Sequence, residues 1–249
     1  MLNIKNLQKY FKDFKLEPIS LELETGMVLG IFGANGSGKT TLIRCLTKEL
    51  VSDGGSVLFN GQIEYRDVMS YMPSYFPYDT YPTVKSVVNF HKRLYPKFDE
   101  SLAIDTLNKF GISLKDRPKK ISLGTKQKLM LALVLASNAK LIILDEPTEG
   151  IDLFLRDEIF QTLQDYLYDK DVTLIIATHE IESYTPLIDK VLYLEEGHPL
   201  IVEDAISFES VATQFIKEDV SSISLKDFAY LRQKEVTYDQ SHKSNTKAR

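Results

Sequence analysis

Gly33-Ala34-Asn35-Gly36-Ser37-Gly38-Lys39-Thr40 follows the apolar run Met27 to Phe32 and precedes the apolar stretch Leu42 to Leu46. The string fits G-x-x-x-x-G-K-[ST], and its setting, a buried strand before and a helix after, is the one in which such a loop holds phosphate. Glycines let successive backbone N–H groups turn toward phosphate oxygens, and the N-terminus of the following helix adds positive partial charge at the same place. Asn35, Gly36, Ser37, Gly38, Lys39, Thr40 and Thr41 are therefore candidate nucleotide-binding residues. Lys39 supplies a point charge to the β- and γ-phosphates, and the Thr40 hydroxyl can ligate Mg²⁺. A lysine followed by two threonines would add nothing to a turn that merely joined a strand to a helix.

Two further apolar runs, Leu141 to Leu144 and Val172 to Ala177, read with Met27 to Phe32 as buried strands of a parallel sheet. Ligands of open parallel sheets sit outside the carboxyl ends of the strands. The three runs deliver Gly33 to Thr40, Asp145 with Glu146, and Thr178 with His179 to that edge. Neighbouring strand residues point to opposite sides, so the two acids can do two jobs. Asp145 is placed to hold Mg²⁺ through its water shell, and Glu146 to polarise an attacking water. His179 is the second catalytic candidate. His91, His198 and His242 have no such context and receive no role.

Working outward, Leu2 to Glu24 and Ser56 to Tyr65 suit an N-terminal antiparallel layer. Residues of about 82 to 138 read as an inserted helical lobe, in which Thr83 caps one helix and Gly111 ends another. A Glu196-Gly197 hairpin turn and one or two amphipathic helices follow, with an extension over about 200–238. The whole is expected to be one α/β domain over 1–238. Residues 239–249 are polar and read as a disordered tail.

Composition narrows the class. No stretch approaches the roughly 18 consecutive apolar residues needed to cross a bilayer, and Met1 to Tyr10 lacks the apolar core of a secretory signal, so a cytoplasmic protein is expected. A single cysteine, Cys45, excludes an intrachain disulfide and a cysteine-based metal cluster. The net charge of −5 gives the molecule no overall attraction to nucleic acid, which is not expected as a partner.

Ile121-Ser122-Leu123-Gly124-Thr125-Lys126-Gln127-Lys128, ahead of the apolar helix Leu129 to Ala136, resembles the signature motif of ATP-binding-cassette (ABC) ATPases, usually Leu-Ser-Gly-Gly-Gln. Only the serine and the second glycine are kept. Glu149-Gly150-Ile151-Asp152 is similar to the D-loop of that family, and Phe11 stands at the place of its adenine-stacking aromatic, with Tyr10 the second choice. The resemblance covers about residues 1 to 200. It implies an ABC-type P-loop NTPase, ATP and Mg²⁺ as ligands, and a head-to-tail dimer in which the phosphate loop of one subunit faces Ser122 and Gly124 of the other. It also implies an integral membrane permease as partner, with the chain peripheral on the inner face of the membrane. Tyr95-Pro96-Lys97-Phe98-Asp99 and a short lobe look like exporters whose permease is a separate chain. A soluble ABC ATPase not coupled to transport, and an ATP-gated immunity or regulatory clamp, stay open beside this reading.

Two of the departures from the family pattern each lose a glutamine. Ser74 stands where the family places a glutamine that touches Mg²⁺ and the water, and Thr125 replaces the last glutamine of the signature, with Gln127 nearby. Between Tyr71 and Tyr81 lie five aromatic residues and two prolines, well above the chain's 10% aromatic average. Tyr75 and Phe76 of this loop are expected to line the groove that receives the permease.

Overall fold

The computed structural model describes residues 1–168, 170–216, 223–232 and 234; the expected tail at 239–249 lies outside them. The chain opens with a hairpin of β1 (Leu2–Tyr10) and β2 (Lys15–Leu23), followed by β3 (Val28–Phe32), α1 (Lys39–Leu46) and β4 (Gly54–Phe59). Strands β2, β1 and β4 form an antiparallel sheet in that order. The pairing of β4 stops at Phe59, short of the expected Tyr65. Tyr65 instead buries its ring and donates its hydroxyl to the Leu46 carbonyl at the end of α1, 2.6 Å away.

Next come β5 (Met69–Met72) and three helices, α2 (Val84–Leu94), α3 (Glu100–Lys109) and α4 (Leu123–Ala136). Thr83 and Ser86 form a reciprocal capping box at the start of α2, Asp99 accepts from Leu102 N–H at α3, and Ser122 accepts from Thr125 N–H at α4. Caps of this kind each contribute about 1 kcal/mol. Helix α4 is buried on every side from Leu129 to Ala136, as an all-apolar helix must be.

The remaining elements are β6 (Leu141–Asp145), α5 (Leu153–Tyr168), β7 (Thr173–Thr178), α6 (Ile181–Tyr184), β8 (Lys190–Glu195), β9 (His198–Asp204) and α7 (Ala205–Ala212). The second sheet runs β5-β6-β7-β3-β8-β9, parallel throughout except for the β8–β9 hairpin. Its central strands are covered on both faces, and their alternation sorts residues between two cores. Leu141, Ile143 and Ile175 face the layer of β1, β2 and α1, while Ile142, Leu144 and Ile176 face α4 and α5. Fully burying one such side chain stabilises the fold by roughly 1.5–3 kcal/mol.

This topology places β6, β7 and β3 side by side and in parallel, so their carboxyl ends, and the residues that follow each, meet at one edge.

Candidate nucleotide site

A cleft of about 450 Å³ opens at that edge. Asn35, Gly36, Gly38, Lys39, Thr40 and Thr41 line it from the loop after β3 and the start of α1. Ser74 lines it from beyond β5, Glu146 and Glu149 from beyond β6, and Phe14 from the β1–β2 turn. Gly38 has φ +109, in the left-handed region, and a Cβ there would lie 3.0 Å from Phe14 Cζ. The loop thus needs glycine both for its turn and to seat the ring.

Lys39 is 6% exposed and donates to the carbonyls of Gly33 at 2.8 Å and Ala34 at 3.3 Å. Its ammonium also lies 3.3 Å from Glu146 Oε1. The other Glu146 oxygen, Oε2, is 3.0 Å from His179 Nδ1 and accepts from the His179 backbone N–H at 3.3 Å. Glu146 has φ +50; a non-glycine residue held in that region costs about 1–3 kcal/mol and occurs where surrounding structure over-determines it. Here its backbone N–H is fixed on the Ala177 carbonyl of β7 at 2.8 Å, and its carboxylate is gripped from both sides.

Asp145, at the end of β6, is 1% exposed, and neither carboxylate oxygen has a hydrogen-bond partner. Burial, reinforced by the Glu146 charge and more weakly by Glu149, pushes its carboxyl up to about 6, against the pull of Lys39 and the Thr40 hydroxyl. Thr40 is near enough to favour the charged form but does not satisfy either oxygen with good geometry. An orphaned buried carboxylate beside a threonine hydroxyl at a phosphate loop fits Mg²⁺, which binds through one or two protein oxygens together with substrate phosphates and water. No group of three or more His, Cys, Asp or Glu side chains among the described residues could hold a metal unaided, so such an ion would need those phosphates.

Two expected ligands have side chains outside this lining. Phe11 is 45% exposed and lies outside the cleft lining. Its N–H donates to the Phe14 carbonyl at 2.8 Å, closing a turn that carries Phe14, missed in the sequence, to the cleft. The Ser37 hydroxyl is buried, unpartnered and turned back on Gly33, so any part Ser37 takes in holding phosphate falls to its backbone N–H.

Ser122 and Gly124 also lie outside this cleft. Ser122 is exposed at the start of α4, and Gly124 is buried where an added Cβ would meet Leu155 Cδ1 at 2.3 Å. Exposed apolar side chains open both α4 and α5: Leu123 is 51%, Leu153 69% and Phe154 76% exposed. One turn into α4, Lys126 fastens that helix to the loop that carries Ser74. Its ammonium is 2.8 Å from Asp79 and 4.6 Å from the centre of the Phe76 ring. Phe76 also packs edge-on against Tyr78 at 5.5 Å, and Tyr78 bonds His91 Nε2 at 2.6 Å. Tyr75 alone of this group stands free, 66% exposed. Phe76 is thus an internal fastening, whereas Tyr75 is available to a partner.

A family model described as ABC transporter matches residues 16–149, more than half of the chain. The chain belongs to the ABC transporter family. This ABC chain is 31% identical over 224 residues to the ABC transporter ATP-binding protein YtrB of Bacillus subtilis (strain 168), covering 87% of this chain and 75% of that one. It is 30% identical over 220 residues to the methionine import ATP-binding protein MetN of Clostridioides difficile (strain 630), covering 82% and 68%. Its fold matches the dimeric post-hydrolysis structure of the ATP-binding cassette MJ0796 bound to ADP and phosphate, with a TM-score of 0.74 over 82% of this chain and 99% of that one, at 21% identity. The ABC cassette is an ATP-binding, ATP-hydrolysing subunit. No helix among its described residues is long and apolar enough to cross a membrane.

Proposed function

We propose that this cassette is the motor of a membrane transporter whose membrane-spanning part is a separate polypeptide, and that it works head to tail with a second cassette. ATP lies between the phosphate loop of one subunit and Ser122 and Gly124 of the other. The observation that carries this reading is the separation of the two halves: the phosphate loop lines a cleft, while Ser122 is exposed at the start of α4 and outside that lining. Exposed Leu123, Leu153 and Phe154, at the starts of α4 and α5, support a covered surface.

Within one cleft, Asn35, Gly36, Gly38 and Lys39 bind the phosphates, and Phe14 packs on the base. Thr40 and Asp145 hold Mg²⁺, which when bound neutralises phosphate charge. On phosphate binding the Lys39 ammonium turns to the phosphate oxygens and frees Glu146 Oε1. Glu146 then polarises the attacking water, and His179 keeps its carboxylate oriented from the opposite side. ATP closes the pair and hydrolysis reopens it.

The direction we favour is export, on the spacing Tyr95 to Asp99 and the short lobe. Import is the second reading, favoured by the likeness to a methionine import protein. Affinity purification of the tagged chain from detergent-solubilised membranes should bring down an integral membrane protein. ATP-driven movement of its cargo into or out of inside-out vesicles then fixes the direction. Recovery of the chain from intact cells without any membrane protein would overturn the transporter reading.

A further inference from the structure

Glu149 has no counterpart in the chemistry described so far, yet its side chain lines the cleft together with Lys39, Thr40, Ser74 and Glu146. Its position is fixed: its backbone N–H donates to the Glu146 carbonyl at 3.2 Å, and Gly150 follows at φ +74. Its carboxylate makes no hydrogen bond or ion pair with any described residue. Three acids, Asp145, Glu146 and Glu149, therefore gather at a cleft whose lining holds a single cation, Lys39, and that cation is already engaged by Glu146 at 3.3 Å.

An anionic nucleotide entering alone would meet uncompensated negative charge. An acid with no partner among the described residues, lining the cleft and close enough to act electrostatically on Asp145, whose buried oxygens are themselves unpartnered, is arranged to meet positive charge that arrives with the nucleotide. Ser74, the other polar group brought in from a neighbouring strand, offers only a short hydroxyl. A hard divalent cation bound to phosphates keeps several waters, which need acceptors.

The geometry points to Glu149 as a positioning residue on the cation side of the site: it accepts hydrogen bonds from the water shell of a nucleotide-bound divalent cation and repels nucleotide that arrives without one. The inference rests on the nucleotide reading of the cleft and adds a selection for the metal-loaded ligand.

The test is an equilibrium titration of the full chain with a fluorescent ATP analogue, in Mg²⁺ and in EDTA, for wild type, Glu149→Gln and Glu24→Gln. Glu24 precedes β3 at the opposite edge of the sheet and controls for net charge. Wild type should bind much more tightly in Mg²⁺. Glu149→Gln should weaken the Mg²⁺ complex and tighten binding in EDTA, each by roughly fivefold, as for a partly screened charge interaction. The ratio of the two affinities should fall more than tenfold, and Glu24→Gln should leave it unchanged. An unchanged ratio in Glu149→Gln, with wild type binding normally, overturns the role of Glu149 alone. Failure of wild type to bind under either condition overturns the nucleotide reading itself.

Discussion

Lys39 and Glu146 neutralise each other, 3.3 Å apart and both nearly closed to solvent. A carboxylate held by an ammonium is a poor acceptor for a water proton, so in the proposed mechanism Glu146 becomes an effective base only as phosphate draws the lysine away. Breaking a buried pair leaves an uncompensated charge, which the incoming phosphate then offsets on the lysine side.

Glu146→Gln removes the base but keeps the side-chain shape. Nucleotide binding should persist while turnover falls on the order of 10² to 10⁴ fold, the usual cost of losing a general base. Analytical ultracentrifugation should show the variant accumulating as a pair in ATP. Full ATPase activity in this variant would remove Glu146 from the mechanism.

Asp145 carries a pH signature. Its carboxyl is raised from 3.8 to about 6 in the fold, so between those values the folded chain holds a proton that the unfolded chain has released. Stability from this residue is therefore lost as pH rises from about 4 to 7. Asp145→Asn should flatten that trend: in metal-free buffer the stability of wild type relative to the variant should drop by about 3 kcal/mol across the interval. Denaturant melts of both proteins at a series of pH values measure it, and parallel curves would contradict the buried, unpartnered placement.

Ser74 lines the cleft with a side chain two bonds shorter than glutamine. Ser74→Gln should raise turnover with little change in nucleotide affinity, the mark of a contact made mainly in the transition state. Steady-state ATPase kinetics beside a binding titration decide this, and no gain in a folded variant would mean that another group already fills the role.

Tyr75 is the exposed aromatic of its loop, and exposed rings supply anchor area at low entropy cost. Tyr75→Ala should release the chain from membranes without altering nucleotide affinity. Phe76→Ala, by contrast, should lower thermal stability, because it removes the ring beneath Lys126. Fractionation of cells with a binding control reads the first, and undiminished retention would place the permease contact elsewhere.

Much of this architecture is legible in the sequence, for reasons that differ by element. Strands β3, β6 and β7 are continuous apolar runs because both faces are buried, and each ends in the residues that make the site. Strand β5, four residues reading Met-Ser-Tyr-Met, is too short and too mixed to stand out, yet it brings Ser74 to the cleft. Helix α5 goes unassigned because only Ile159, Thr162, Leu163 and Tyr166 along it are buried. The choice between Phe11 and Tyr10 leaves out Phe14 because Phe11 and Phe14 lie in the turn between β1 and β2, where no strand periodicity marks which ring is turned to the cleft. In the sequence Glu149 stands only as part of a loop motif, since nothing in a sequence says which acids lack partners.

In the proposed head-to-tail pair, the fastening at Lys126 ties together two things that belong to different nucleotides. Through Phe76 and Asp79 it holds the loop from which Ser74 meets one ATP, and through the first turn of α4 it holds the serine offered to the other. In a paired assembly, filling one cleft therefore alters how well the second is completed, and linkage requires the influence to be equal in the reverse direction. ATP should bind such a pair with a Hill coefficient above one, and loosening a single ammonium from its ring and carboxylate should return the two sites to independence.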